Sequence, residues 1–246
     1  FMFCPLERQK YRIKTKQYNH MNRNIIITGS AGNLGSAVVS KFKREGFKVI
    51  AITIPGSDQE VEEADDVYQV DVTEEQSVKD FSKEYQMQYG SLECMALLVG
   101  GFAMGGIEQT SSKDMEDMIQ LNFFSAFNMV KHFLPLMRKA NNGTFLFVGA
   151  KPALNAGEGK DVLAYALSKS MVMNLADLIA NETADSKIRS HVFVPSIIDT
   201  PQNRASMPDS DFSDWVKPFE IAEAMHYAAT NAALRNMTFK LYGGVI

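Results

Sequence analysis

Short apolar, β-branched runs alternating with longer helical stretches constrain this chain more than any other feature. Strands joined only through helices pair in parallel, and a parallel sheet has to be covered on both faces. The runs predict strands at Asn24–Thr28, Phe47–Ile54, Val67–Val70, Cys94–Val99, Thr144–Val148, His191–Val194 and Thr238–Tyr242. Between them, helices are predicted over Ala37–Glu45, Glu74–Tyr89, Ser112–Ala140, Val162–Asn181 and Glu220–Ala233. The segment 198–216, rich in Pro, Asp and Ser, reads as an irregular lid. The expectation is an α/β fold, a doubly wound parallel sheet in one domain over 21–246.

Composition narrows the function classes. With 46% hydrophobic and 22% charged residues, the 246-residue chain has ample material for a single core. Its formal charge of −4 gives no attraction for nucleic acid or for an anionic membrane. No apolar run reaches the roughly 18–20 residues of a membrane helix. Two cysteines, Cys4 and Cys94, cannot make a disulfide framework, which fits a reducing cytoplasm. His20, His132, His191 and His226 lack metal-ligand spacing, so no metal is expected. Residues 1–20 are basic and carry no signal-type apolar core; they are expected to be a tag-derived or mis-started tail, with Met21 the natural start.

The first predicted strand runs into Thr28-Gly29-Ser30-Ala31-Gly32-Asn33-Leu34-Gly35. In that strand-to-helix context Gly29 suits a tight turn, Gly32 a close backbone approach to a pyrophosphate, and Gly35 close helix packing. The helix N-terminus then presents free N–H groups to phosphates. A glycine-rich turn that binds nothing is the plainer alternative. The second strand ends at Thr53-Ile54-Pro55, neither acidic nor basic, which leaves NADH or NADPH open. Asp71-Val72, after the third strand, is placed to reach an adenine, and equally to cap the following helix. Gly100 and Gly101 end the fourth strand, either beside a cofactor or as a simple turn.

Tyr165 and Lys169 lie four apart on the helix after the fifth strand, hence on one face. An ammonium beside a phenol favours the phenolate and lowers its pKa, and such a phenol can give a proton as hydride arrives.

With these residues in view, the chain from Met21 to Ile246 resembles the short-chain dehydrogenase/reductase family, which is built on a Rossmann-like sheet and uses NAD(P)H. The resemblance rests on the Gly29–Gly35 turn, Asp71, the glycines after strand four, Asn122, Tyr165-x-x-x-Lys169 and Pro195 through Thr200. It implies that Tyr165 is the acid/base and that Lys169 binds the nicotinamide ribose. It also implies that Asn122 holds a proton-relay water, that Pro195, Ile198 and Thr200 lie along the nicotinamide, and that the protein is a homodimer or homotetramer.

The family's usual substrate-binding serine has no counterpart, because the position falls on Pro152 by spacing and on Ala150 by the strand end. Gly149-Ala150-Lys151, Asp199-Thr200-Pro201-x-Asn203-Arg204 and the glycines followed by Phe102 are similar to the dihydropteridine reductase branch, which likewise lacks it. That likeness implies a small conjugated imine or pterin as substrate, while Asn122 and Thr53 depart from the branch. Phe102 suits stacking on a flat heterocycle or plain packing. Asn203 and Arg204 suit a polar substrate or the pinning of the lid. Two readings stand beside this one: a general ketone or aldehyde reductase using Lys151 or a water as donor, and a nucleotide-binding sensor or scaffold without catalysis.

Overall fold

A computed structural model describes residues 23–244; the expected tail and the start at Met21 lie outside the described residues. The strands are β1 (Asn24–Thr28), β2 (Lys48–Thr53), β3 (Asp66–Gln69), β4 (Cys94–Leu97), β5 (Gly143–Val148), β6 (Ile188–Pro195) and β7 (Asn236–Leu241). They form one sheet in the order β3-β2-β1-β4-β5-β6-β7. Every pairing is parallel, with Ile26 beside Ile50 and Met95, and Phe147 beside Val192. The order reverses direction between β1 and β4, which opens a crevice at the carboxyl ends of the two strands.

The helices are α1 (Asn33–Arg44), α2 (Glu75–Tyr89), α3 (Ser112–Met118), α4 (Ser125–Ala140), the single turns α5 (Lys151–Leu154) and α6 (Ala156–Gly159), α7 (Leu163–Glu182), α8 (Pro201–Ser206) and α9 (Pro218–Thr230). A π-helical turn over Ile119–Phe124 joins α3 to α4. Side chains of a strand alternate faces, so β1 sends Ile26 to one layer and Ile25 and Ile27 to the other. Ile26, Ile50, Phe145 and Phe147 pack with Phe81 and Tyr85 of α2, Phe133 of α4 and Val172 of α7. On the opposite face Ile25, Ile27, Leu146 and Phe193 pack with Val38 and Phe42 of α1 and Ile221 and Met225 of α9. Full burial of side chains of this size stabilises by about 1.5–3 kcal/mol each.

The expected architecture is therefore present, with changes at the element ends. α1 begins at Asn33, four residues before the predicted start, because Gly35 is helical despite its low propensity. β6 extends to Ile188, drawing in the polar Arg189, whose guanidinium donates to the carbonyls of Ala228, Ala229 and Asn231 at 3.2, 2.8 and 2.8 Å and so caps the C-terminus of α9. The lid is more regular than expected: Thr200 accepts from the Asn203 amide and starts α8, with Pro201 in its first turn. Among the described residues no helix is long and apolar enough to cross a membrane. None of their His, Cys, Asp and Glu side chains cluster in threes suited to a metal ion.

Candidate active site

The three glycines of the first turn have different reasons to be glycine. Gly29 has φ of +64°, a left-handed conformation that side chains disfavour. A Cβ on Gly35 would lie 2.1 Å from the Gly29 carbonyl oxygen and 2.8 Å from the Ser30 backbone, so α1 packs there only without a side chain. Gly32 has an ordinary φ of −75°, and a Cβ on it would meet only the Gly29 oxygen at 3.4 Å, a normal contact. Nothing in the described protein requires glycine at 32. Gly32 and Asn33 are exposed, α1 has no side-chain cap, and its first turn carries no acid. The turn thus leaves an uncapped helix N-terminus with open space before it, which suits the pyrophosphate of a dinucleotide. Ser30, by contrast, is fully buried, and its hydroxyl donates to the Ile52 carbonyl at 3.0 Å. Leu34 lies half-buried beside Asn33 in the same first turn.

On the adenosine side Thr53 is buried at the end of β2. Asp71 Oδ1 accepts from the backbone and hydroxyl of Thr73 at 3.0 and 2.6 Å, a local turn in place of the helix cap expected of it, since the N-cap of α2 is Glu74, with no side-chain cap bond. Val72 is buried, and its carbonyl and that of Thr73 accept from Asn128 Nδ2 at 3.1 and 3.0 Å. Gln120 adds a bond to Thr73 at 2.8 Å. Asn128 and Gln120 escaped the sequence reading because their partners lie 55 and 47 residues away and no local motif marks them.

The β4 exit meets α7, the helix that carries Tyr165 and Lys169. Asn122, in the π-helical turn, accepts from the Gly101 amide at 2.9 Å and donates to Ser168 of α7 at 2.9 Å. A Cβ on Gly100 would stand 2.6 Å from Asn122 Oδ1 and 3.0 Å from Lys169 Nζ, so a side chain there would displace these two polar groups. Lys169 is buried and donates to the Val148 carbonyl at 3.1 Å. Among the described residues only one of its three protons is engaged, which suits an ammonium held for ribose hydroxyls. Burial lowers its pKa to about 8 and raises that of Tyr165 to about 12. The sequence-based expectation is a phenol pKa lowered by the lysine; burial of the phenol moves it the other way. The Tyr165 ring lies edge-on to Phe102, with centroids 5.0 Å apart.

Around this pair the substrate-side residues sort themselves. Ala150 is buried and brings no donor to the end of β5. Lys151 is paired with Glu158 at 3.1 Å and lies over the Tyr242 ring. Asn203 donates to the Ile198 carbonyl at 2.8 Å. Arg204 grips Asp199 through two bonds of 2.5 and 2.8 Å and lies over Phe212. Of the two roles open to Asn203 and Arg204, the geometry realises the pinning of the lid. Pro195 ends β6, Ile198 bridges to Val216, and Trp215, within the lid, is buried against Phe212.

The family model described as short chain dehydrogenase matches residues 23–211. Over 218 residues, 87% of this chain and 91% of the relative, the sequence is 28% identical to dihydropteridine reductase of Dictyostelium discoideum. It is 26% identical over 223 residues to the 3-oxoacyl-acyl-carrier-protein reductase FabG of Thermotoga maritima, covering 84% of this chain and 89% of that one. The solved structure of ElxO with NADP bound shares the fold at a TM-score of 0.81 and 21% identity, over 91% of this chain and 98% of that chain. With the glycine turn, the Tyr165–Lys169 face and the parallel sheet in place, the chain belongs to the short-chain dehydrogenase family of nicotinamide-dependent oxidoreductases.

Proposed function

We propose that this enzyme reduces a flat, conjugated imine of the quinonoid dihydropterin type, with Tyr165 as proton donor. The observation that carries the reading is Ala150, buried at the β5 exit with no hydroxyl to donate, two residues after the Val148 carbonyl that accepts from Lys169. A carbonyl gaining negative charge loses about 10²–10³-fold without one preorganised donor. A conjugated ring spreads the incoming electrons and depends less on it. The exposed Phe102, edge-on to Tyr165, offers an aromatic face for such a ring. Likeness to dihydropteridine reductase supports the same substrate class.

The bound nicotinamide supplies hydride; the rest is the work of this chain's side chains. With its pKa near 12, Tyr165 keeps its proton at neutral pH and can release it to the nitrogen or oxygen that gains charge. Lys169, still largely protonated at pH 7, stabilises the phenolate left behind. Exposed Leu167 and Leu178 on α7 and Phe124 before α4 support the expected homodimer or homotetramer, and the buried thiol of Cys94 is consistent with a cytoplasmic setting.

Steady-state assays with quinonoid dihydropterin and a carbonyl panel, each with NADH and NADPH, test the substrate class. Ala150→Ser is expected to raise carbonyl reduction about tenfold or more and to leave pterin reduction within about threefold. No pterin turnover with either nucleotide overturns the pterin reading, and carbonyl turnover in its place selects the ketone or aldehyde reductase.

A further inference from the structure

Between Tyr165 and Lys169 on α7 sits Ser168, whose side chain has no exposure to solvent. Its hydroxyl donates to the carbonyl of Tyr165 three residues back, at 2.9 Å. A serine bonded to its own helix is common. Here the same oxygen also accepts from Asn122 Nδ2 at 2.9 Å, across 46 residues of sequence. We infer that Ser168 is a positioning residue for the reaction: it holds the Asn122 amide and, through it, the Gly100–Gly101 backbone against which Lys169 is set. The inference rests on the catalytic reading of Tyr165 and Lys169 given above.

The geometry leaves Asn122 one orientation. Its Oδ1 accepts from the Gly101 amide at 2.9 Å, and its Nδ2 also approaches the Gly101 carbonyl at 3.3 Å. Turned over, the amide would set Nδ2 against the Gly101 N–H, donor against donor. Asn122 is 1% exposed, so no water replaces a lost partner without rearrangement. Ser168 spends its only proton on Tyr165 and therefore faces Asn122 as an acceptor, which locks the choice. The consequence reaches the reacting groups at Gly100, where Asn122 Oδ1 and Lys169 Nζ converge on the space a Cβ would fill. Movement of Asn122 moves the wall beside the ammonium, and the backbone that would run along the nucleotide.

The test pairs kinetics with hydrogen exchange. Ser168→Ala is expected to lower kcat about tenfold or more, with KM and nucleotide Kd within about threefold. Asn122→Ala should show a similar loss, and the double variant no further loss, because the two residues act as one unit. The Gly101 amide, followed by NMR, should exchange about tenfold faster in Ser168→Ala. Ser168→Cys, which keeps the volume and weakens the acceptor, should behave like Ser168→Ala and serves if the alanine variant does not fold. A kcat within twofold of wild type, or losses that multiply in the double variant, overturns the inference. Should the wild-type protein reduce nothing, the functional reading fails by itself, and Gly101 exchange still decides: faster exchange upholds the brace, unchanged exchange overturns it.

Discussion

Lys169→Met is expected to give a protein that unfolds at a higher temperature and turns over at least a hundredfold more slowly. The two effects share one cause. Lys169 is buried, donates among the described residues only to the Val148 carbonyl and has its pKa lowered to about 8 from 10.5. A lowered pKa for a base means that the fold disfavours its charged form, so at neutral pH the ammonium costs stability. Methionine fills a similar volume without charge, and the gain is about 1–3 kcal/mol after the lost bond to Val148 is discounted. The pH dependence follows in sign. Between about pH 8 and 10.5 the unfolded chain binds the proton more strongly than the folded one, so wild-type stability rises with pH through that window. The advantage of Lys169→Met is therefore full below pH 8 and shrinks above it. Thermal melts at several pH values, run beside turnover assays, check both halves. A variant that is less stable at pH 7 contradicts the assignment of a strained, functional ammonium.

The glycine turn supplies the second large effect, and it lies in a contrast. Gly35→Ala drives a Cβ to 2.1 Å from a backbone oxygen, a clash no rotamer relieves. It is expected to destabilise by about 2–3 kcal/mol and to abolish nucleotide binding along with the turn. Gly32→Ala meets only an ordinary 3.4 Å contact at a φ of −75°, compatible with any residue. Its melting temperature should match or slightly exceed wild type, since alanine restricts the unfolded chain more than glycine does. Nucleotide affinity should nevertheless fall at least about tenfold, because the methyl group occupies the approach to the helix N-terminus. Calorimetric melts and fluorescence titration with NADH and NADPH separate the two. Unchanged affinity in Gly32→Ala would mean that the turn is only a turn.

Much of this was legible in the residues. The strands showed because parallel strands buried on both faces are continuous apolar runs, as in Asn24–Thr28 and Cys94–Leu97. Gly29, Gly32, Gly35, Tyr165 and Lys169 stood out because spacing in a known context is local information. What was illegible is non-local. Ser168 and Asn128 act through partners 46 to 56 residues away, and the π-helical turn that aims Asn122 has no sequence signature. The start of α1 was missed because Gly35 argues against helix locally while close packing on Gly29 requires it. The lid helix α8 did carry a local signal, Thr200 as cap with Pro201 behind it, obscured by the surrounding Pro, Asp and Ser. The Tyr165 pKa went the opposite way because burial is a property of the folded chain, invisible in a four-residue spacing.

The measurement that bears most directly on the central claim is nicotinamide-dependent turnover by wild type and Tyr165→Phe, with nucleotide Kd determined on the same samples. Wild type is expected to turn over quinonoid dihydropterin or a carbonyl. Tyr165→Phe should bind nucleotide within about threefold of wild type and lose about 10²–10⁴-fold in kcat, the usual worth of a positioned proton donor. Equal turnover by the two proteins, or tight nucleotide binding by a wild type that reduces nothing, would contradict a Tyr165-dependent reductase.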